Sequence, residues 1–191
     1  MLKTLQYGTL ISLITTVIGC TSVVDATTEK PVQFNPGKRT LGTLIDDQQL
    51  EIAAAVNIRK ADEVLDNSHI NVVAFNGILL LTGQVPRHDL RTLAGDTARK
   101  IHGVRQVFNE IQVQGKTSLL ARANDSWLTT KVKSTLLGHK DIDSSRIKVV
   151  SEDGIVYLMG LLSQTEAAKA ASVVSNIGGV QKVVKAFEYI D

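Results

Sequence analysis

Few side chains in this 191-residue chain are of a type and spacing to do chemistry. Cys20 is the only thiol, which removes intramolecular disulfides, CxxC redox chemistry and cysteine-rich zinc sites together. His69, His88, His102 and His139 include no i, i+3 or i+4 pair that would set two ligands on one helix face, so each reads as a solvated surface residue. Asp141-Ile142-Asp143 opens like a calcium loop but lacks the glycine and the closing glutamate of an EF-hand. Ser144-Ser145 has no nucleophile-elbow context, and no glycine-rich turn leads into a helix to cradle a phosphate. No nucleophile, base and oxyanion hole come together, so the expectation is a protein that is not an enzyme and needs no metal or cofactor. Twenty-one Lys and Arg against nineteen Asp and Glu give +2, too balanced for the broad electrostatic footprint of a nucleic-acid-binding protein.

What Cys20 could do follows from the residues before it. Lys3 supplies a positive start, Leu10 to Ile18 is apolar apart from Ser12, Thr15 and Thr16, and Gly19 is small. This pattern is a secretory signal, too short and too weakly apolar for a stable spanning helix. Val17-Ile18-Gly19-Cys20 resembles the bacterial lipobox, whose cysteine is acylated and becomes the mature N-terminus. The alternatives are an ordinary signal peptide with a chance cysteine, or a buried core cysteine. On the lipobox reading, residues 1–19 are a signal peptide and Cys20 is the lipidation site. Thr21 stands where an inner-membrane retention signal would place Asp, which implies release to the outer membrane. Acyl chains contributing roughly 0.8 kcal/mol per buried CH₂ then hold the protein to the inner leaflet. Residues 20–45, with Pro31, Pro36, Gly37 and Gly42 and no sustained periodicity, read as a flexible tether.

The rest of the chain is an internal repeat. INVVAFNGILLLTG at 70–83 matches IKVVSEDGIVYLMG at 147–160 with seven of fourteen positions identical, too many for coincidence of composition. IHGVRQV from Ile101 lines up with IGGVQKV from Ile177. Two small domains are therefore expected, 46–114 and 124–191, joined by the polar segment 115–123.

Each copy has the same order of elements. Leu50, Ala54, Ile58, Ala61 and Leu65 in one copy, and Leu128, Val132 and Leu136 in the other, have helical spacing. These predict helices over Asp46–Leu65 and Asp125–Leu137, the second capped by Asp125 or Ser126 and closed by Gly138 at C′. Two β-rich runs follow, Ile70–Phe75 and Ile78–Val85, then Ile147–Ser151 and Ile155–Leu162 in the second copy. Asn76-Gly77 and Asp153-Gly154 separate them as hairpin turns that need positive φ at both central residues. Pro86 and the capping box Ser163-Gln164-Thr165-Glu166 announce a second helix, ending near Gly103 and Gly179. A last strand closes each copy, with Val107, Ile111 and Val113, or Val183, Phe187 and Tyr189, alternating against polar neighbours. The fold class is α+β: two tandem αββαβ units, each a three-stranded sheet with two helices.

An αββαβ unit with a hairpin glycine (Gly77, Gly154), a glycine six positions on (Gly83, Gly160) and Ile-x-Gly-Val before the last strand (101–104, 177–180) resembles the BON domain. Two such units behind a lipobox, with NDSWLTTKVKSTLL opening the second and YLMGLL inside it, resemble the dual-BON outer-membrane lipoproteins. That resemblance implies a non-enzymatic, phospholipid-binding module of the periplasm-facing outer membrane, associated with envelope integrity and the cell division site.

The first helices of the copies differ in charge. Residues 46–66 hold six acids and two bases, a net of −4, whereas 124–140 hold Lys131, Lys133 and Lys140 against Asp125, a net of +2. On that count only the second helix suits an anionic surface. It also carries the sole tryptophan, Trp127, about 100° from Leu128 and beside Lys131 and Ser134. The indole either packs on the domain core or the other repeat, or sits among lipid headgroups with its N–H wet. The lysines and the family resemblance favour the second. The expected lipid-binding residues are Trp127, Thr130, Lys131, Lys133, Ser134 and Leu137, and the expected partner is anionic phospholipid. The alternative function is a protein-interaction adaptor for an envelope machine such as the β-barrel assembly machinery.

Overall fold

The computed structural model describes residues 37–115 and 118–190; the expected signal peptide, Cys20 and most of the expected tether lie outside the described residues. Pro36–Asp191 forms one compact unit that holds both repeats. Repeat 1 runs α1 (Leu41–Ala61), α2 (Glu63–Asp66), β1 (His69–Phe75), β2 (Ile78–Val85), α3 (His88–Arg99), β3 (Gln106–Asn109) and β4 (Gln112–Val113). Repeat 2 runs α4 (Leu119–Gly138), a 3₁₀ turn (Ser144–Arg146), β5 (Ile147–Glu152), β6 (Ile155–Leu162), α5 (Gln164–Ser175) and β7 (Lys182–Tyr189).

Both hairpins form as the turn dipeptides require. Asn76 and Gly77 have φ of 51° and 74°, and Asp153 and Gly154 have 51° and 73°. β1 pairs antiparallel with β2 from His69↔Gln84 to Phe75↔Ile78, and β5 with β6 from Ile147↔Gly160 to Glu152↔Ile155. The last strand lies parallel to the central one in each repeat, after the helical crossover that parallel pairing needs. In repeat 1 that strand is interrupted: β3 and β4 both pair with β2, while Ile111 between them turns its side chain into the core. Gly83 and Gly160 are places where backbones approach. A Cβ on Gly83 would collide with the His69 carbonyl oxygen, and one on Gly160 would lie 2.6 Å from that of Arg146.

Strand alternation serves two cores in each sheet. Leu79, Leu81 and Val85 of β2 face Ala54, Ile58, Leu90 and Ala94 of the repeat 1 helices, and Val156, Leu158 and Leu162 of β6 face Leu128, Val132, Leu136 and Ala170. The opposite faces meet each other. Val73, Phe75, Ile78 and Leu80 of repeat 1 form one cluster with Val150, Tyr157, Met159 and Leu161 of repeat 2. A sheet buried on both faces needs apolar residues at every position, which is why ILLL and YLM are unbroken runs. Burial, aided by nearby Glu110, pushes the Tyr157 phenol well above its usual pKa.

The first helices differ from the sequence expectation at their starts. α1 begins at Leu41 with Thr40 as N-cap, inside the stretch read as tether, and α4 begins at Leu119 with Ser118 as N-cap. Neither Asp125 nor Ser126 caps α4, and Gly138 is its last helical residue; the C-cap is His139, in extended backbone. The helix expected to run to Leu65 breaks at Asp62, whose side chain caps the short α2. α3 and α5 end at Arg99 and Ser175, and the glycines at 103 and 179 belong to the following turns, with φ of 88° and 104°. The capping box of α5 forms as expected, Ser163 and Glu166 bonding reciprocally.

Asp125 instead does something that its counterpart Asp47 also does. Both are buried mid-helix carboxylates. Asp47 accepts the backbone N–H of Asn76 at 2.8 Å and of Gly77 at 2.9 Å; Asp125 accepts those of Asp153 at 2.8 Å and Gly154 at 3.0 Å. Each first helix is thus pinned to its own hairpin turn by charge-assisted hydrogen bonds. Arg39 pairs with Asp47 at 2.7 Å and lies 4.0 Å from the centre of the Phe75 ring, tying the segment before α1 into the same network.

Candidate functional site

α4 buries Leu128, Val132 and Leu136 against the repeat 2 core, and this fixes what its other face presents. The Asp125 clamp sets the rotation of the helix, since that carboxylate must point at the Asp153-Gly154 turn. Trp127, Thr130, Lys133, Ser134 and Leu137 are all exposed, so five of the six expected lipid-binding residues share the outward side. Trp127 is 56% exposed and Leu137 77%, large values for apolar side chains of this size. The indole is therefore not part of the buried core. Its inner edge covers the turn after α5: the ring's Cζ3 comes within 4.0 Å of the point where a Cβ on Gly179 would sit.

Lys131 occupies a different position from the one expected for a headgroup ligand. Its Nζ donates to the Gly178 carbonyl at 2.8 Å and lies 4.8 Å from the centre of the Trp127 ring. The ammonium is held between a carbonyl and an aromatic face, where a cation–π contact at a partly exposed site contributes ~0.5–1 kcal/mol. Lys131 thus fixes the indole and adds positive charge beside it, while Lys133 is the lysine that stands free in solvent on this helix. The Thr130 hydroxyl donates to the Ser126 carbonyl at 3.0 Å and keeps its lone pairs on the surface as acceptors.

One member of this face was missed in the sequence. Leu120 is 80% exposed and lies two turns before Trp127, on the same side of the helix. With Trp127 and Leu137 it makes three exposed apolar side chains spaced along α4 from first turn to last, with Thr130 and Ser134 exposed between the last two. The signal was present as Leu119-Leu120 ahead of Ala123, but the helix was expected to start at Asp125.

The charge argument that set α1 aside also changes. Asp47 is paired with Arg39, Glu51 with Lys148 at 2.8 Å, and Asp62 caps α2, so half of the six acids counted over 46–66 are consumed internally. Leu41, Leu44, Ile45 and Ile52 are exposed on α1, which is an apolar face and not an acidic one.

Among the described residues, no group of three or more His, Cys, Asp or Glu side chains is placed to hold a metal ion, and no helix is long and apolar enough to cross a membrane.

Two αββαβ units, each with its glycine-marked hairpin and parallel closing strand, make this a chain of two BON domains. The chain belongs to that family: the BON domain matches residues 46–115 and 124–191. Among individual proteins, it is similar to outer membrane lipoprotein DolP of Haemophilus influenzae, 38% identical over 173 residues that make up 91% of this chain and 90% of that one. It is 39% identical over 152 residues to a 21 kDa hemolysin of Actinobacillus pleuropneumoniae, covering 80% of this chain and 78% of the relative. Osmotically-inducible protein Y of Escherichia coli is 25% identical over 146 residues, 75% of this chain and 72% of its own. Among solved structures, the C-terminal domain of CdsD, a structural protein of the type III secretion system of Chlamydia trachomatis, aligns over 71% of this chain and 96% of its own, at 14% identity and a TM-score of 0.27.

Proposed function

We propose that this chain is a non-enzymatic outer-membrane lipoprotein, anchored through Cys20 and facing the periplasm, that binds anionic phospholipid through the outward face of α4 and supports envelope integrity, including at the division site. Similarity to outer membrane lipoprotein DolP of Haemophilus influenzae over most of both chains supports the outer-membrane lipoprotein part. The observation that carries the lipid-binding part is the exposure of Trp127 between Leu120 and Leu137, with Lys131 and Lys133 beside it. An indole with its ring half in the apolar boundary and its N–H among headgroups suits the interface, and each lysine near an anionic surface contributes about 1 kcal/mol, less at high salt. With the acyl anchor already confining the protein to the surface, the helix contact acts at high effective concentration and functions while intrinsically weak.

Flotation tests this reading. A Cys20→Ser form of the mature chain, which has no anchor, should float with phosphatidylglycerol vesicles and stay behind with phosphatidylcholine vesicles. Equal flotation with both would remove the preference for anionic lipid, and no flotation with either would remove the lipid role from α4 and leave the adaptor reading, in which an envelope protein such as the β-barrel assembly machinery is the partner.

A further inference from the structure

The two repeats carry a place that one of them fills and the other leaves open. In repeat 2, Trp127 lies over the Gly178-Gly179 turn beside Leu128, and a Cβ on Gly179 would meet the Leu128 side chain at 3.4 Å. In repeat 1 the corresponding residues are Gln49, Leu50, His102 and Gly103, and the Gly103 Cβ would meet Leu50 at 3.5 Å, the same geometry. Gln49 does not cover the turn as the indole does. A groove of about 500 Å³ opens there, lined by Leu50 and Gly103 together with Asp46, Gln49, His102 and Arg105.

We infer that this groove of repeat 1 is a docking site for a protein segment that inserts an aromatic side chain flanked by a basic residue. The occupant's chemistry is set by three observations. The equivalent turn in repeat 2 is covered by an indole, so the scaffold accepts a flat ring over that glycine. In repeat 2 the ring is accompanied by the Lys131 ammonium at 4.8 Å; repeat 1 has Ala53 at the matching place on its helix, and Asp46 provides charge complementarity for a cation brought from outside, since the Arg105 guanidinium that also lines the groove is already paired with Glu188. Finally, Ile45 and Ile52 of α1 are exposed one helical turn on either side of Gln49, on the side of it away from the groove, and offer apolar surface to the residues that flank an inserted ring. The site involves neither α4 nor lipid, so it stands independently of the membrane reading.

Amide spectra of the ¹⁵N-labelled mature chain with Cys20→Ser give the test, using acetyl-Lys-Trp-Lys-amide as probe and acetyl-Lys-Ala-Lys-amide as control. The tryptophan peptide should give saturable millimolar shifts at Leu50, Gly77 and Gly103, and the alanine peptide should not. Gln49→Trp should place an indole in the groove and remove those shifts while the rest of the spectrum stays native. Asp46→Lys should weaken binding about threefold to fivefold, the upper part of the range of an exposed ion pair; this variant holds the test open if Gln49→Trp does not fold. Absence of saturable shifts, equal shifts with the alanine peptide, or binding unchanged in both variants would overturn the inference. Concentration-dependent broadening of the same amides without peptide would overturn it too, by identifying the occupant as a second copy of this chain.

Discussion

Trp127 and Lys131 form a unit in which the lysine holds the ring and the ring meets the surroundings. Because the indole is more than half exposed and touches only the rim of the core, Trp127→Glu should leave circular dichroism native. Placing a carboxylate at that depth should weaken binding to anionic vesicles at least tenfold, about 1.4 kcal/mol. The two lysines should separate by salt dependence. Lys133→Glu removes a solvated charge, so it should weaken binding at low ionic strength and lose its effect as salt rises. Lys131→Met keeps the stem packed but releases the Gly178 carbonyl and the ring, and its deficit should persist at high salt and broaden the Trp127 emission. Identical salt profiles for the two variants would show that Lys131 acts only as a charge. From the sequence, the stripe of Leu128, Val132 and Leu136 left Trp127 at the edge of the core, and it was the neighbouring lysines and the family resemblance that favoured exposure over packing. The Gly178 contact was not legible, since it joins residues 47 apart through the packing of α4 on the α5–β7 turn.

At the scale of elements, the device that recurs is the buried aspartate of the first helix clamped on the hairpin turn. Asp125→Ala would strand the buried N–H groups of the Asp153-Gly154 turn without an acceptor and should cost about 2–4 kcal/mol, read by urea unfolding as a lower midpoint with unchanged slope. Asp47→Ala should cost at least as much, because it also unpairs Arg39. A change below 0.5 kcal/mol in either would mean that the turn is held by its own backbone preference. The hairpins themselves were readable, since Asn-Gly and Asp-Gly specify positive φ locally. The clamps were not, because an aspartate in a helical run offers no local reason to bond a turn some thirty residues on; the available clue was its recurrence three positions before Leu50 and Leu128. The helix starts were misplaced for a related reason. Thr40 and Ser118 cap without the glutamate or glutamine three residues later that marks a capping box, and the first turn of α1 sits in a stretch rich in Pro, Gly and Thr. That error hid Leu120 and the apolar residues at the start of α1; the count of acids over 46–66 misled for another reason, since Arg39 and Lys148, which pair with Asp47 and Glu51, lie outside that range.

Across the whole molecule, the two sheets bury their second faces in one another, so neither repeat has a complete set of covered surfaces by itself. Unfolding should be a single cooperative transition, with both repeats losing structure together by amide exchange; two separated transitions would show the cluster around Phe75, Leu80, Tyr157 and Met159 to be a weak contact. Polar clamps guard its edges. Glu188 receives both arms of Arg105, at 2.5 and 3.0 Å, and the Asn76 amide at 2.7 Å, and the buried Glu152 accepts from Gln84 at 2.7 Å. The hydrogen bonds from Arg105 hold the Glu188 carboxyl below its ordinary pKa, with Asn76 adding to them and partial burial opposing. A carboxylate depressed in the folded state contributes its stability above the unfolded pKa, near 4.3, and loses it as pH falls through the folded value. Glu188→Gln should therefore lower stability at pH 7 by up to about 1 kcal/mol, discounted because Arg105 is half exposed, and the gap from the parent chain should close as pH drops below about 4.

The central claim is that α4 meets the membrane with its tryptophan, and the chain contains no other tryptophan to obscure the signal. Fluorescence of the Cys20→Ser chain, titrated with phosphatidylglycerol vesicles that carry bromine on their upper acyl carbons, tests this most directly. We expect the emission to shift to shorter wavelength and to be quenched by the brominated lipid, with neither effect in phosphatidylcholine vesicles. Binding to the anionic vesicles with the Trp127 emission unshifted and unquenched would contradict the claim and place the lipid contact elsewhere on the protein.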